Sequence, residues 1–531
     1  MTRLRPTLPL LAAATLLGCG GSNLPPSPDG GDTPPSLEIQ TAQGKVKGSL
    51  DGAVRVFLGL PFAAPPVGDN RFKPPRPAAS WNGVREANAY GPQCPQFNQG
   101  SGLFDEKASE DCLTLNVWSP AAKGAPRPVM VWIHGGAFIL GSGSEPTYQG
   151  RNLAEAGDVV VVTVNYRLGP LGFLAHPALT TEDGARPSSG NYGILDQQAA
   201  LAWVKANIAA FGGDPGNVTL FGESAGGMSV CAQLVAPGAK GLYHRAIDQS
   251  GPCLAFPLPS RAIWEAQGEA LAKAAGCAGD AAAIRACLRK KTPKEILTAL
   301  PRRLELIFGE GASWTPHLDG VVLPEQTSAA LKAGQGAKVP LLIGANRDEG
   351  KLFLALGAKV DTEMQLRAAL GSLYPPAVTD KIIAFYKPKA PTPKDQALAA
   401  LNDAFVCDAR RVARLHEAAG QSVFYYHFSR PFKWIFPDLG AFHSAEIPFI
   451  FDNPYVFISI TEEDRPLAKA MQGYWTRFAR AGNPNPDPLR NTIQWPAYRA
   501  AGDTHLGLDL TIATGTGLRK EACDFWDGLL P

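Results

Sequence analysis

A serine with small neighbours lies between an apolar run and a helix-forming segment. The run NVTLF (217–221) is followed by GESAG (222–226), a G-x-S-x-G pattern centred on Ser224. Small neighbours permit the strained turn that lifts a serine Oγ above a sheet, and the next helix directs its positive end at the same point. Such a serine is suited to nucleophilic attack on a carbonyl carbon. The alternative is a glycine-rich turn with a capping serine.

A serine hydroxyl attacks at neutral pH only if a base, most often histidine, removes its proton. With this type of turn the chain order is serine, acid, histidine, so the base is expected late in the chain, where the histidines are His416, His427, His443 and His505. His416 lies in a helical pattern and His427 in a strand pattern, so both are predicted to be structural. His443 lies in the loop sequence LGAFHSAEIPF and is preferred over His505.

The base requires a carboxylate on its other ring nitrogen, which fixes the tautomer and stabilises the imidazolium. The sequence VPLLIGANRDEG (339–350) places Asp348 and Glu349 directly after an apolar strand pattern. Either carboxylate serves on spacing alone. The alternative is an ordinary solvated turn, since NRDEG is common loop composition.

Acyl transfer also requires N–H donors for the developing oxyanion, and losing one costs about 10²- to 10³-fold in rate. In VWIHGGAF, the small residues Gly135, Gly136 and Ala137 follow another apolar run. Together with the Ala225 N–H they form the donor set expected for ester cleavage. His134 is predicted to position this loop. No partner at ligand spacing supports a metal there, and we predict neither a metal nor another cofactor.

These candidates follow short apolar runs that alternate with helical patterns. The predicted strands cover 128–133, 159–166, 217–221, 339–345 and 422–428, and the clearest helices cover 194–211 and 467–482. Strands that are apolar throughout and alternate with helices indicate a mostly parallel sheet covered on both faces. Ligands lie beyond the carboxyl ends of such strands. One large domain over 37–531 is predicted, because no later linker or internal repeat interrupts the pattern.

Composition describes a folded chain without a nucleic-acid signature. The chain has 531 residues, is 45% hydrophobic and has a formal net charge of +2. Arg3 and Arg5 are the only charged residues of the segment 1–18, so the chain without that segment is formally neutral. A nucleic-acid partner is not expected.

The N-terminal residues have the pattern of an export signal followed by a flexible linker. Arg3 and Arg5 precede LPLLAAATLLG, an apolar run too short to span a bilayer, and Cys19 follows. LLGC resembles a bacterial lipobox, which implies a signal peptide over 1–18 and a lipid on Cys19. An ordinary secretory signal is the alternative. Residues 19–36 are the predicted tether to a membrane of the cell envelope, with secretion expected if Cys19 is not lipidated.

Nine segments occur in one characteristic order. They are FLGLPFAAPPVGDNRF, SEDCLTLNVWSP, VWIHGGAF, VVVVTVNYRLGPLGF, GNYGILDQQAALAWVKANIAAFGGDPGNVTLFGESAGG, QSG, NRDEG, HSAEIPFIF and ARAGNPNP. From about residue 37 the chain thereby resembles the type-B carboxylesterase and cholinesterase family of α/β-hydrolases. The resemblance implies the α/β-hydrolase fold, with a large, mostly parallel central sheet and helices on both faces. It also implies hydrolysis of a small-molecule carboxylic ester to acid and alcohol through an acyl-enzyme.

The resemblance implies roles for individual residues and chooses between the two carboxylates. The family's acid falls on Glu349, its nucleophile on Ser224 and its base on His443. Glu223 and Ser229 match positions that support the nucleophile, although a helix serine also commonly bonds its own backbone. The implied oxyanion donors are the N–H groups of Gly136, Ala137 and Ala225, with Ala at 137 where many relatives have Gly.

Disulfides and ion pairs also carry over by position. The chain has nine cysteines and no C-x-x-C pair, and an exported chain permits disulfides. The resemblance implies the disulfides Cys94–Cys112, Cys277–Cys287 and Cys407–Cys523 and the ion pairs Arg71–Glu110 and Arg167–Asp196. Cys231 and Cys253 are then expected to remain free.

The loop between Cys94 and Cys112 contains phenylalanine but no tryptophan. Because the cholinesterase tryptophan of this loop stacks on the choline cation, choline esters are disfavoured as dedicated substrates. Phe138, Phe432, Trp434 and Phe436 are candidates for an apolar substrate pocket, with core packing as the alternative. The rival functions are a catalytically silent binding or adhesion protein, a lipase with interfacial preference, and amide or carbamate cleavage.

Overall fold

The structure is a computed structural model that describes residues 36–98, 101–301, 311–432, 439–455, 459–485 and 493–529. The predicted signal segment, Cys19 and the linker up to residue 35 lie outside the described residues, as do Trp434 and Phe436. The described residues from Leu37 onward belong to one compact unit. No helix among them has both the length and the apolar composition needed to cross a membrane.

The described residues form fourteen β-strands and sixteen α-helices. The strands are β1 Glu38–Gln40, β2 Lys45–Lys47, β3 Ser49–Asp51, β4 Val54–Pro61, β5 Val84–Glu86, β6 Thr114–Pro120, β7 Arg127–Ile133, β8 Val160–Val164, β9 Gly213–Glu223, β10 Arg245–Gln249, β11 Leu341–Asn346, β12 Val423–Phe428, β13 Thr504–Leu508 and β14 Ala513–Thr516. The α-helices are α1 Arg151–Gly157, α2 Gly169–Phe173, α3 Pro177–Thr180, α4 Tyr192–Asn207, α5 Ala225–Val235, α6 Arg261–Ala274, α7 Ala281–Lys290, α8 Pro293–Thr298, α9 Thr327–Lys332, α10 Glu349–Ala355, α11 Glu363–Gly371, α12 Pro376–Tyr386, α13 Pro393–Ala418, α14 Ile447–Phe451, α15 Arg465–Ala481 and α16 Lys520–Leu529.

Eleven of these strands form one sheet, in the order β14-β13-β12-β11-β10-β9-β7-β8-β6-β4-β3. The strands from β13 to β8 in this order are parallel to one another. Antiparallel strands occupy both edges. The predicted large, mostly parallel sheet is therefore confirmed. A separate small sheet contains β1, β2 and β5.

Both faces of the central strands are buried. In β7, Val131 and Ile133 belong to one apolar core with residues of α4 and α5, whereas Met130 and Trp132 belong to a second core with residues of α1 and α15. Every residue of β7 is buried. Coverage by helices on both faces explains why these strands are apolar throughout instead of alternating.

A third apolar cluster contains residues of α10, α11, α12, α13 and α16. Two of its members, Phe353 of α10 and Phe405 of α13, contact the ring of His443, with ring centroids 4.9 and 5.2 Å away. This cluster therefore encloses one side of the candidate site.

The five predicted strands correspond to β7, β8, β9, β11 and β12. The central strand β10, between β9 and β11, escaped prediction. Its sequence RAIDQ has only two apolar residues. Asp248 and Gln249 are buried, although these residue types are more common in loops.

Candidate active site

The candidate residues follow the carboxyl ends of neighbouring parallel strands. Ser224 follows β9, Glu349 follows β11 and His443 lies in the connection after β12. The segment containing Gly136 and Ala137 follows β7, which lies next to β9 on the side opposite β10. Because parallel strands end at the same edge of the sheet, residues far apart in sequence meet there.

Ser224 occupies a strained turn between β9 and α5. Its φ of 57° and ψ of −123° lie in a region that non-glycine residues seldom adopt. A Cβ atom on Gly226 would lie 2.0 Å from the carbonyl oxygen of Ile133, and one on Gly222 would lie 2.6 Å from the Gly226 backbone. The glycines on both sides of the serine are therefore required for the turn. The Ser224 side chain itself is partly exposed.

The imidazole of His443 is held by Glu349. The distance from His443 Nδ1 to Glu349 Oε2 is 2.5 Å, and both side chains are buried. The other carboxylate oxygen, Oε1, accepts hydrogen bonds from Ser250 Oγ and from the Asn346 backbone N–H, both at 2.6 Å. These three contacts fix the carboxylate, which in turn fixes the orientation of the imidazole.

The neighbouring carboxylate of Asp348 has a different contact. Its Oδ2 accepts a hydrogen bond from the backbone N–H of Ala441 at 2.9 Å, and Arg347 pairs with the same oxygen. Asp348 therefore anchors the loop that leads to His443, whereas Glu349 contacts the imidazole itself.

The second ring nitrogen of His443 faces the turn at Ser224. His443 Nε2 lies 3.2 Å from Oε1 of Glu223, the residue directly before Ser224. Ser444 Oγ donates to the same carboxylate oxygen at 2.6 Å. Burial raises the pKa of Glu223. Burial lowers the pKa of His443, but the carboxylates of Glu223 and Glu349 raise it by more, so the imidazolium is favoured overall.

The segment after β7 lies beside the serine turn, because Ile133 is paired with Gly222 in the sheet. A Cβ atom on Gly135 would lie 3.1 Å from Ser224 Cβ. Gly136 and Ala137 have positive φ values of 101° and 52°. Within the described residues, neither of their N–H groups donates a hydrogen bond to another protein group.

Ala225 supplies the third predicted donor, since it is the first residue of α5 and its N–H has no partner within the helix. All three predicted N–H donors therefore lie beside Ser224 without a partner in the secondary structure.

His134 stabilises the segment that contains Gly136 and Ala137. Its Nδ1 lies 2.8 Å from the Gly135 carbonyl oxygen, and its ring stacks on Tyr166 at 4.4 Å. The Tyr166 hydroxyl donates to the His134 carbonyl oxygen at 2.9 Å. Burial lowers the pKa of His134 to about 4, which keeps the ring neutral. These contacts correspond to the predicted positioning role.

Ser229 lies one turn into α5 and bonds its own helix. Its Oγ donates to the Ala225 carbonyl oxygen at 2.8 Å and accepts from Gln197 Nε2 at 2.9 Å. Ser229 therefore acts on the first turn of α5 and joins it to α4.

Sequence reasoning missed the buried polar residues that adjoin Glu349 and His443. Glu446 Oε1 accepts from Gln249 Nε2 at 2.9 Å, and its Oε2 accepts from Asn346 Nδ2 at 2.6 Å. Asn346 Nδ2 also donates to the Phe442 carbonyl oxygen at 2.9 Å. The signal in the sequence was a charged residue, Glu446, inside the otherwise apolar AEIPFIF.

The other three histidines considered as the base lie in regular elements, His416 in α13, His427 in β12 and His505 in β13. The described aromatic candidates for a substrate pocket are core residues. Phe138 is buried against Phe173, and Phe432 packs against Phe442 and Phe449.

The two ion pairs and three disulfides expected by position are present. Arg71 pairs with Glu110 and Arg167 with Asp196. The disulfides join Cys94 to Cys112, Cys277 to Cys287 and Cys407 to Cys523.

The prediction that Cys231 and Cys253 remain free is wrong, because the structure joins them in a fourth disulfide. The helix α5 brings Cys231 next to the segment after β10, at a Cα–Cα distance of 5.7 Å that suits a disulfide. The family resemblance implied three disulfides and assigned no partner to either of these cysteines. With Asp248, the same two cysteines form the group of described side chains close enough to share a metal ion. Disulfide sulfurs are not the thiolates that metals bind, so this group does not fit a metal.

Comparisons with known proteins identify close relatives over most of the chain. The carboxylesterase family profile matches residues 35–526. The para-nitrobenzyl esterase of Bacillus subtilis (strain 168) is 39% identical, with 89% of this chain and 95% of that protein aligned. A medium-chain fatty acyl-CoA hydrolase precursor of Anas platyrhynchos is 37% identical, with 92% and 91% aligned.

Solved structures give the same result. A PNB esterase structure has a TM-score of 0.80 and 38% identity, covering 92% of this chain and 99% of its own. A thermophilic PNB esterase has a TM-score of 0.81 and 37% identity, with the same coverage.

Proposed function

Because the chain belongs to the carboxylesterase family, it is a carboxylic ester hydrolase with the α/β-hydrolase fold, and we propose that it acts through an acyl-enzyme formed on Ser224. The observation that carries this proposal is the position of His443, which contacts Glu349 through Nδ1 and Glu223, the residue directly before Ser224, through Nε2. In its neutral form, a base held in this way carries its proton on Nδ1 and accepts a proton at Nε2.

In the first half-reaction, Ser224 Oγ attacks the ester carbonyl carbon while its proton moves to His443 Nε2. The tetrahedral intermediate then collapses, the bond to the alcohol oxygen breaks, and His443 returns the proton to that oxygen. The acyl group remains on Ser224. Water attacks next, with His443 again as base, and the carboxylic acid leaves. Throughout, the Glu349 carboxylate accepts the hydrogen bond from Nδ1 and stabilises the imidazolium.

The oxyanion of each tetrahedral intermediate is bound by the N–H groups of Gly136, Ala137 and Ala225. Support comes from the positive φ values of Gly136 and Ala137 and from the position of Ala225 at the start of α5. N–H groups without an internal partner need no reorganisation when the oxyanion forms. The positive end of α5 adds to this stabilisation.

The test of this proposal is covalent titration with an organophosphate ester, followed by intact mass and peptide mapping. We expect one adduct per chain, on Ser224, and full loss of esterase activity when one equivalent has reacted. A catalytically silent protein takes no label. A label on another residue, with activity lost, contradicts the assignment of Ser224.

We also propose that the protein is exported and tethered to a membrane through a lipid on Cys19, a proposal supported by residues 1–19. In a bacterial host, the native chain is expected in the membrane fraction and Cys19→Ser in the soluble fraction. Equal partitioning of both contradicts the tether.

A further inference from the structure

The segment 249–255, which begins at the last residue of β10, contacts both the candidate nucleophile and the candidate acid. The Gln249 carbonyl oxygen accepts a hydrogen bond from the Ser224 backbone N–H at 2.9 Å. The Ser250 hydroxyl donates to Glu349 Oε1 at 2.6 Å. The position of this segment therefore affects both partners of the imidazole.

Ser250 has a backbone conformation that the surrounding structure must impose. Its φ is 49°, in the left-handed region that non-glycine residues seldom adopt. Such a residue keeps its conformation only where other contacts fix the chain around it. On the N-terminal side, β10 is held in the sheet between β9 and β11, and the Ser250 N–H donates to the Gly344 carbonyl oxygen at 2.9 Å. The contacts on the C-terminal side must come from outside the sheet.

Asp408 of the long helix α13 supplies such contacts. Its Oδ2 accepts from the Cys253 N–H at 2.7 Å, and its Oδ1 accepts from the N–H groups of Leu254 and Ala255 at 2.7 and 2.5 Å. All four residues are buried. Successive backbone N–H groups that converge in this way form a concavity suited to an anion. One carboxylate thus satisfies three buried donors that would be costly to leave unpaired.

A covalent bond reaches the same segment from another element. The Cys231–Cys253 disulfide joins it to α5, the helix that begins directly after Ser224. This bond fixes the segment relative to the nucleophile. Asp408 fixes it relative to α13, a different helix.

The helix α13 also supports the acid. The Asn402 side-chain oxygen accepts from the Gly350 N–H at 2.8 Å, and Gly350 directly follows Glu349 at the start of α10. Asn402 and Asp408 lie less than two turns apart on α13. One helix thereby holds both sides of the hydrogen bond between Ser250 and Glu349.

We propose that Asp408 is a positioning residue for ester hydrolysis. Through the backbone of residues 253–255 it keeps Ser250 in contact with Glu349. Glu349 in turn keeps His443 in the orientation and tautomer that accept the serine proton. The inference rests on the proposed function and adds a residue that touches neither the substrate nor the imidazole.

The main variant is Asp408→Asn, which keeps the shape of the side chain and removes its charge and one acceptor oxygen. The readout is kcat per titrated serine in the hydrolysis of p-nitrophenyl butyrate, with active sites counted by the organophosphate titration. This normalisation removes any loss that unfolded chains cause. Burial raises the pKa of Asp408 to about 7, so assays at about pH 8.5 keep the native carboxylate ionised.

We expect Asp408→Asn to lower kcat per titrated serine about tenfold, the value of a lost hydrogen bond to a charged group. The rising limb of kcat/KM should also move to lower pH. The reason is that a displaced Glu349 carboxylate raises the pKa of His443 by less. A purely structural role of Asp408 would change neither quantity.

Two further variants complete the comparison. Asp408→Glu keeps the carboxylate but is one methylene longer, so its kcat should lie between those of the native protein and Asp408→Asn. It also serves as the test variant if Asp408→Asn does not fold. The matched control is Glu417→Gln on the same helix, because Glu417 is partly exposed and pairs with Arg499 at the surface. This control should leave kcat and the limb unchanged.

A double-mutant cycle shows whether Asp408 acts through Ser250. Ser250→Ala removes the hydroxyl that donates to Glu349. In that background, Asp408→Asn should lower kcat by less than about twofold, because the two changes break the same chain of contacts. A tenfold loss in both backgrounds overturns the inference.

A folded Asp408→Asn protein with native kcat per titrated serine and an unchanged limb overturns the inference, even if its Tm is lower. Native values for Asp408→Glu overturn it when only that variant folds, and so does an equal loss in Glu417→Gln. Failure of the proposed function gives a different result. The native protein then takes no organophosphate label on Ser224, and the inference fails with it.

Discussion

His443 Nδ1 lies 2.5 Å from Glu349 Oε2, although the two residues are 94 positions apart in the chain. The contact forms because β11 and β12 are parallel neighbours whose carboxyl ends meet at one edge of the sheet. Asp348, one residue earlier, instead binds the Ala441 N–H. The sequence does not distinguish the two adjacent carboxylates, but the structure gives them different contacts. Glu349 contacts the imidazole, and Asp348 binds the loop that leads to it.

Replacing Glu349 by Gln should lower kcat about 10³- to 10⁴-fold, because the amide neither selects the required tautomer nor stabilises the imidazolium. The matched change Asp348→Asn should cost less than about tenfold, since it affects only the anchoring of the loop. The measurement for both variants is kcat in the steady-state hydrolysis of p-nitrophenyl butyrate. Reversed magnitudes would assign the acid to Asp348.

The segment that contains Gly136 and Ala137 gives a second pair of variants. Gly136→Ala places a Cβ 2.2 Å from the Leu140 carbonyl oxygen at a φ of 101°, so the loop must shift. We expect kcat to fall about 10²- to 10³-fold with a smaller change in KM, the signature of lost transition-state binding. Ala137→Gly keeps the N–H and suits a φ of 52°, so it should retain most activity. A larger loss in Ala137→Gly than in Gly136→Ala contradicts this role for the loop.

The pH profile tests the electrostatics of the base. Only neutral His443 accepts the serine proton, so kcat/KM should rise with pH through the pKa of the imidazolium. The Glu223 carboxylate acts to raise that pKa. Glu223→Gln removes the charge, lowers the pKa of His443 and should move the rising limb to lower pH. The control is Glu106→Gln, which changes an exposed carboxylate that pairs with Lys294. A limb that stays in place or moves to higher pH contradicts the assignment.

The disulfides should differ in their effect on stability. The Cys407–Cys523 disulfide spans 116 residues and the Cys277–Cys287 disulfide spans 10. In the chain-entropy description these loops are worth about 5 and about 3 kcal/mol. Replacing both cysteines of the longer loop by Ala should therefore lower Tm by more than replacing those of the shorter one. Calorimetry of the two double variants checks this, and an equal or reversed order refutes the entropic account.

The candidate residues that follow the strands could be proposed from the sequence because acyl transfer requires particular residue types: a nucleophile, a base and an acid. Ser224 had a distinctive pattern, and His443 was the loop histidine in the late part of the chain. The choice of Glu349 over Asp348 required the family resemblance, since it depends on side-chain direction. The supports of the site, such as Ser250 and Glu446, have no local pattern because their partners lie about 100 to 200 positions away.

The same limit applies to β10 and to the fourth disulfide. β10 is a central strand with a polar end, so its hydrophobic pattern is too short to identify it. The Cys231–Cys253 contact depends on how α5 packs against the segment after β10. Spacing in the sequence does not specify a pairing of this kind.

The central claim, that Ser224 forms the acyl-enzyme, is tested most directly by Ser224→Ala in the hydrolysis of p-nitrophenyl butyrate. The expected result is activity reduced by about 10⁶-fold, to the residual rate that binding and the oxyanion donors support. Circular dichroism and Tm should remain close to those of the native protein. A folded Ser224→Ala protein that retains native activity would contradict the account.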